Sequence, residues 1–336
     1  MSDGFVLAVG NRQIACDYSL TLLENIQRAG FRALSACRNA ACGICRAKIQ
    51  RGNVHYKQEP RGLSEAERAH GFCLPCAGFS DADLELEWAG LQSKDVVDVR
   101  KISCQVQSVT PLNTDTYLVS LLPADGSQPQ YAAGQYLQLI MPDGSPRSFS
   151  IASAPESQQI DVHIKVIPGH ERAQQVIDHV QRRQVVTIEL PFGECHLPDN
   201  EHPLLMIAGG TGFAPMKSLI ESSLAQHETR DMWLYWGAAN KSQLYWHEQM
   251  LALSTQHLRL HYVPVLAMAD EGWYGATGFP HVIAADDHED FSAFEVFCSG
   301  SEGMARAVYA FMQAKDVPNH RFHCDWIDIL RNQGAL

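Results

Sequence analysis

Apolar and polar positions follow three different rhythms along the 336-residue chain. In residues 1–92 the short runs FVLAV and RQIAC predict two strands, and DLELEW predicts a closing one. Between them, the apolar spacing of residues 21–29, stopped by Gly30, predicts a helix. The polar, charged stretch AGLQSKDVVDVRK reads as a linker. Residues 100–200 carry six short runs broken by Pro, Gly and Asp: CQVQSVT, TYLVSLL, QYLQLIM, SFSIA, DVHIKVI and VVTIEL. Such spacing predicts a small antiparallel barrel, interrupted by one helix at 171–180. Across residues 201–336 the texture becomes strand, glycine turn, helix: LLMIA, GGTG and FAPMKSLIESSL, then DMWLYWG, EVFCSG and MARAVYAFMQA. That alternation predicts a parallel sheet flanked by helices. The ending FHCDWIDIL reads as a last strand and tail. The expected class is therefore multidomain, α+β followed by α/β, with no internal repeat.

Composition narrows the function. The formal net charge is −12 and Lys and Arg form no run, which argues against nucleic acid and anionic membrane surfaces but leaves room for a basic protein partner. No apolar stretch approaches membrane-spanning length, and MSDGFVLAVG lacks the shape of a signal peptide, so a cytoplasmic location is expected. Thiols are normally kept reduced there, so ten cysteines do not imply disulfides. Five of them, Cys37, Cys42, Cys45, Cys73 and Cys76, crowd one region, which suggests metal.

Cys37-x4-Cys42-x2-Cys45 with a distant fourth cysteine is the plant-type 2Fe–2S spacing. Four thiolates must converge on two irons, and the small residues of SACRNAACGICRA let backbone amides approach the sulfurs. Zinc is the rival for two CxxC pairs, but the x4 spacing favours the cluster. GFCLPCAGF offers both Cys73 and Cys76 as the fourth ligand. The region resembles plant-type ferredoxins, which implies a β-grasp fold. Aligned inward from Asp83, where the last strand opens, the resemblance selects Cys76 and makes Cys73 a buried hydrophobe.

Arg147-Ser148-Phe149-Ser150 offers a guanidinium for a flavin phosphate, an aromatic ring for the isoalloxazine and a hydroxyl for its N5. With GQY before it, His163 and Lys165 in VHIKV, and PFG at 191–193, it resembles the flavin signature of the ferredoxin–NADP reductase superfamily. Phe149 stands where that signature has Tyr. Pro168-Gly169-His170 lacks the serine turn that holds an FAD pyrophosphate, so the segment is also similar to bacterial NAD(P)H:flavin oxidoreductases, which bind flavin loosely.

Gly209, Gly210, Thr211 and Gly212, between an apolar strand and a helix, let a pyrophosphate approach the helix N-terminus. GGTGxAP is the superfamily's form of this turn. Cys298-Ser-Gly-Ser-Glu-Gly-Met304 resembles its C-G-P-x-x-M segment, which puts Cys298 beside the nicotinamide. AANKSQ carries only Lys241 and Ser242 to meet a 2′-phosphate, which points to NADH over NADPH.

His320-x2-His323-Cys324 reads as solvated surface, and LYWHEQM as a helix packing its apolar face. Together the resemblances imply a ferredoxin domain, a flavin-binding barrel and a nucleotide-binding domain, with FAD favoured over FMN. They imply a monomeric reductase that passes electrons to a partner such as an oxygenase or a deoxysugar dehydrase. Ser150 and Cys298 would attend hydride transfer. The alternative is a free-flavin reductase with an accessory ferredoxin domain.

Overall fold

In the computed structural model, residues 4–10, 12–33, 35, 37–88, 91–92, 99–167, 169, 171–198, 200–226, 229–269 and 271–332 are described. The chain divides into two units: 1–98 with 140–147 and 328–336, and 99–139 with 148–327.

In the first unit, helix Leu22–Arg28 starts at a reciprocal cap. Glu24 N–H donates to the Thr21 hydroxyl at 3.2 Å, and Thr21 N–H donates to the Glu24 carboxylate at 2.7 Å. Such a cap contributes about 0.5–2 kcal/mol. The helix buries Leu22, Leu23 and Ile26 against a five-stranded sheet. Its order is Arg12–Asp17, Gly4–Val9, Leu84–Glu87, Ala47–Arg51 and Phe72–Cys73. The strand pairs are antiparallel except Gly4–Val9 with Leu84–Glu87, where both ends of the segment run parallel. The predicted linker begins differently from expectation. Leu91–Gln92 pairs with Arg32–Ala33 as a short strand, and residues 93–98 lie outside the described ones.

Two further sheets are six-stranded. One has the order Pro146–Ser150, Tyr136–Ile140, Val185–Phe192, Arg100–Pro111, Thr116–Pro123 and Ile160–Lys165. A bridge between Ile151 and Val162 links its two edges. Helix Glu171–Arg182 buries Val176, Ile177 and Val180. Pro168 and His170 of the expected flavin turn lie outside the described residues.

The other sheet runs Ala276–Thr277, Leu260–Leu266, Met232–Ala238, Leu204–Gly209, Glu295–Ser299 and Phe322–His323, and its pairs are parallel. Leu204 through Ala208 are wholly buried, as a central parallel strand covered on both faces requires. The tail corrects the sequence reading, since Asp325–Asn332 is a helix. Ile327 and Leu330, three apart, are its buried positions, a spacing too brief to register in a polar segment. Among the described residues no helix is long and apolar enough to cross a membrane.

Candidate functional site

Two sites emerge, one in each unit. In the first, the loop after Ala33 turns sharply because Arg38, Ala40 and Gly43 all take positive φ, at 53°, 55° and 75°. For Arg38 and Ala40 that conformation costs roughly 1–2 kcal/mol each. The turns aim the amides of Ala41 and Cys42 at the Cys37 sulfur, both at 3.3 Å. Successive amides curled in this way make a concavity suited to an anionic sulfur. Gly62 N–H donates to Ala40 O at 2.7 Å, and a Cβ at Gly62 would stand 2.8 Å from Gly43 N, so residues 60–63 lie directly on the loop.

Cys76 reaches this loop from a separate turn. Leu23 N–H donates to Pro75 O at 3.0 Å, and Leu74 N–H donates to the Tyr56 hydroxyl at 2.8 Å, fixing the turn's position. The Cys76 thiol hydrogen-bonds with Cys37 and Cys45, and Cys37 also hydrogen-bonds with Cys42. The bonds from Cys42 and then Cys76 push the Cys37 thiol towards thiolate, while the same bonds push Cys76 and Cys42 up. Cys73 differs. It pairs with Ala47 in the sheet, and burial pushes its thiol up, with the charge of Cys45 second. Among the described residues no three His, Cys, Asp or Glu are arranged for a single ion. Four thiols spread round a two-iron cluster do not need to meet at one point, and this set, with amides on one sulfur, fits that group.

The second site is a cleft of about 440 Å³. Ser148, Phe149 and Ser150 from strand Pro146–Ser150 line it together with His163 and Lys165 from strand Ile160–Lys165. Gly209, Gly210, Thr211, Gly212 and Cys298 line it from the parallel sheet. Helix Phe213–Ala225 holds the two sheets together here. The Ser218 hydroxyl donates to Ser153 O at 2.6 Å, and the Lys217 ammonium donates to Ala152 O at 3.2 Å. The glycine turn is pinned from behind by Trp236 Nε1, which donates to Gly210 O at 2.9 Å, and by Phe213 stacked 4.1 Å from Trp236. A Cβ at Gly212 would collide with the Ser299 carbonyl, and one at Gly209 with the Met304 sulfur. This is the close backbone approach that only glycine permits.

His163 has its Nδ1 3.0 Å from the Tyr245 hydroxyl, and its ring lies among Phe213, Tyr245 and Trp246. Its Nε2 is buried without a partner. An orphaned polar atom, a glycine cradle and an aromatic ring on one cleft suit a flavin and a dinucleotide. Lys165 pairs with Asp115 at 3.3 Å. Arg147 is the one predicted flavin residue not in the cleft lining. Its Nη1 donates to Ser145 Oγ and Pro146 O, both at 3.0 Å, while its Nε is buried without a partner.

Cys298 is buried at the end of strand Glu295–Ser299, and a hydrogen bond with Cys324, followed by burial, holds its thiol protonated. It therefore offers shape and a weak donor, not a nucleophile. The reading of the tail as solvated surface missed part of the site. His323, Cys324, Asp325 and Trp326 line the cleft. His323 Nε2 stands 2.6 Å from the buried Glu295 carboxylate, and its ring stacks on Phe297 at 4.6 Å. Tyr245 and Trp246, expected to pack on a helix, lie just before helix His247–Gln256 and close round the His163 ring. The adjacent aromatic pair was the available signal for both.

Burial, and secondarily Lys217, lowers the His163 pKa from 6.5 to about 3. Between those values the unfolded chain binds more protons than the folded one, so stability falls as pH drops below about 6.5. Going from about pH 7 to about pH 5 should cost roughly 2 kcal/mol through this residue alone. His163→Gln should show a correspondingly shallower loss of urea midpoint over that interval. Parallel curves for parent and variant would mean that His163 is not held neutral.

The fold and the two sites define an iron–sulfur reductase that draws on a nicotinamide cofactor. Residues 7–79 match the 2Fe-2S iron-sulfur cluster binding domain and residues 206–310 the Oxidoreductase NAD-binding domain. The chain is 30% identical to the CDP-6-deoxy-L-threo-D-glycero-4-hexulose-3-dehydrase reductase of Yersinia pestis, over 87% of this chain and 88% of that protein. It is 32% identical to the NAD(P)H-flavin reductase of Vibrio harveyi, over 67% of this chain and 97% of the relative. Among solved structures, the Amycolatopsis cytochrome P450 reductase GcoB superposes with a TM-score of 0.79 at 28% identity, covering 95% of this chain and 97% of the other. The chain belongs to the family of NAD(P)H-dependent iron–sulfur flavoprotein reductases within the ferredoxin–NADP reductase superfamily. It is an electron-transfer enzyme whose cofactors are a 2Fe–2S cluster, FAD and NADH.

Proposed function

We propose that this reductase serves an oxygenase or a deoxysugar dehydrase, and that its three functional parts are residues 1–92, 100–200 and 201–336. The observation that carries the reading is the cleft in which Ser148, Phe149 and Ser150 meet Gly209–Gly212 and Cys298, while the thiol set sits in a unit of its own. When bound, the flavin takes an electron pair as hydride and releases single electrons to the cluster.

The residues divide the remaining work. Cys37, Cys42, Cys45 and Cys76 would hold the cluster, with the amides of Ala41 and Cys42 stabilising negative charge on one sulfur. The six-stranded antiparallel sheet would act as the flavin-binding barrel and the first unit as a β-grasp ferredoxin. Arg147 would meet a flavin phosphate, Phe149 the ring face and Ser150 its N5. The unpartnered Nε2 of His163 would find its hydrogen bond in the bound flavin. Gly209, Gly210, Thr211 and Gly212 would receive the NADH pyrophosphate. The protonated Cys298 thiol would pack against the nicotinamide, and His323, buttressed by Glu295, would limit where that ring lies. No general base is needed, because positioning carries the step. A monomeric, cytoplasmic protein without affinity for nucleic acid or membrane completes the proposal.

The similarity to the flavin reductase over two thirds of the chain favours a second reading, in which reduced flavin itself is the product and the cluster is accessory. Anaerobic titration of the purified, fully loaded chain with NADH separates the two parts of the claim. Two electrons at the flavin and one at the cluster require about 1.5 equivalents of NADH per chain, with the cluster's paramagnetic signal rising before the end point. A chain that saturates at one equivalent, with an oxidised cluster, would contradict electron flow between them.

A further inference from the structure

The chain is strongly acidic, yet its cluster-bearing segment is not. Residues 37–79 contain seven Lys and Arg against three Glu, in a protein of net charge −12. Two of those glutamates pair with two of those arginines, so these pairs cancel, and Arg51 pairs with Glu85 outside the segment. Arg46 Nη2 stands 2.7 Å from Glu67, and Arg68 Nη2 stands 2.6 Å from Glu59. A groove of about 340 Å³ runs beside the thiol set and is lined by Cys76, Ala40, Arg38 and Lys57 among others. Glu24, which also lines it, is engaged in its helix cap. The Lys57 ammonium sits exposed, 4.3 Å above the Phe79 ring in the same groove. Arg61 is exposed next to Gly62, whose amide bonds the cluster loop at Ala40 O. Positive charge therefore collects around the loop that carries Cys37, Cys42 and Cys45, on a molecule that elsewhere carries the opposite sign.

We infer that this basic face is the docking surface for the electron acceptor, and that it selects a protein with an acidic patch around its own redox centre. The inference rests on the reading of the cluster as the electron exit. Complementary charge steers encounter and fixes orientation, raising association rates by about 10- to 1000-fold, and like charge suppresses wrong partners. The net acidity of the rest of the chain then disfavours approach of an acidic protein away from this face. Phe79 beneath the Lys57 ammonium holds that charge in place over an apolar ring.

The test uses the full-length, cofactor-loaded chain carrying Lys57→Glu with Arg61→Glu, beside the milder pair Lys57→Gln with Arg61→Gln. Two haem proteins serve as probes: the acidic soluble domain of cytochrome b5 and the basic cytochrome c. NADH bleaching of the flavin and internal reduction of the cluster should match the parent in both variants. Reduction of cytochrome b5 should fall at least about tenfold at low ionic strength in the charge-reversed chain, and less in the neutralised one. The gap should close near 1 M salt, where the screening length shrinks to about 3 Å. Cytochrome c reduction should hold steady or rise. Unchanged cytochrome b5 rates would overturn the proposal. So would slowed internal cluster reduction, which would assign the face to the chain's own flavoprotein part. Loss of a dimer on charge reversal would assign it to a second copy instead. If the exit itself were misread, Cys42→Ser would leave both probes reduced at the parent rate, an outcome distinct from all of these.

Discussion

Cys76→Ser should strip the visible iron–sulfur absorption from the purified chain and most of its iron, whereas Cys73→Ser should leave both nearly intact. The two residues are three apart and both are buried, so burial does not separate them. Hydrogen bonding does. Cys76 shares bonds with Cys37 and Cys45, while the Cys73 thiol answers chiefly to its own burial in the sheet beside Ala47. An alcohol is a poor replacement for a thiolate on iron, so the first change removes a ligand. The second swaps one small buried group for another at a cost of about 1–3 kcal/mol in the core. Absorption spectra and iron counts on both variants decide the matter. The opposite pattern would mean that the fourth ligand is Cys73.

Gly212→Ala should raise KM for NADH by at least about tenfold, and leave the iron–sulfur spectrum unchanged. The added Cβ would meet the Ser299 carbonyl and stand 2.8 Å from Gly300 N. These are backbone atoms at the end of a central strand, so the neighbours cannot give way as a flexible side chain would. Overpacking of this kind costs about 1–3 kcal/mol and more where relief is blocked. The displacement falls on the start of helix Phe213–Ala225, where Ala214, Pro215 and Met216 line the cleft. Gly303→Ala is the control. Nothing lies within 4 Å of its Cβ, and it sits in helix Glu302–Ala314, where alanine is favoured. KM should be unmoved by that change, and equal effects at both positions would sink the cradle argument.

The sequence made the parallel sheet and the glycine turn legible because their signals are local. A five-residue apolar strand running into GGTG needs no partner to be recognised, and Leu204–Gly209 is where the run lies. The six short strands of the antiparallel sheet were visible for the same reason. What could not be read was convergence from distant segments. His323 and Cys324 reach the cleft through a two-residue strand beside Glu295–Ser299, a pairing no local pattern announces. The partner that His323 meets there, the buried Glu295, is 28 residues away. Arg147 is legible from its motif alone, and in the fold its guanidinium bonds Ser145 and Pro146, two and one residues before it. The choice of Cys76 over Cys73 needed an alignment from the sequence, because both are buried thiols three residues apart.

The central claim is that hydride enters at the cleft and electrons leave through the cluster. Stopped-flow spectroscopy on Cys42→Ser tests it most directly, with superoxide dismutase present and no added flavin. Cys42 N–H donates to the Cys37 sulfur in a unit that contributes nothing to the cleft lining, so the change leaves the nicotinamide site alone. Flavin bleaching by NADH should proceed at the parent rate, because hydride transfer needs contact with the flavin only. Reduction of a one-electron protein acceptor should fall by about an order of magnitude or more, the loss expected when a positioned relay is removed. Acceptor reduction that survives loss of the cluster under these conditions would contradict the account and favour reduced flavin as the product.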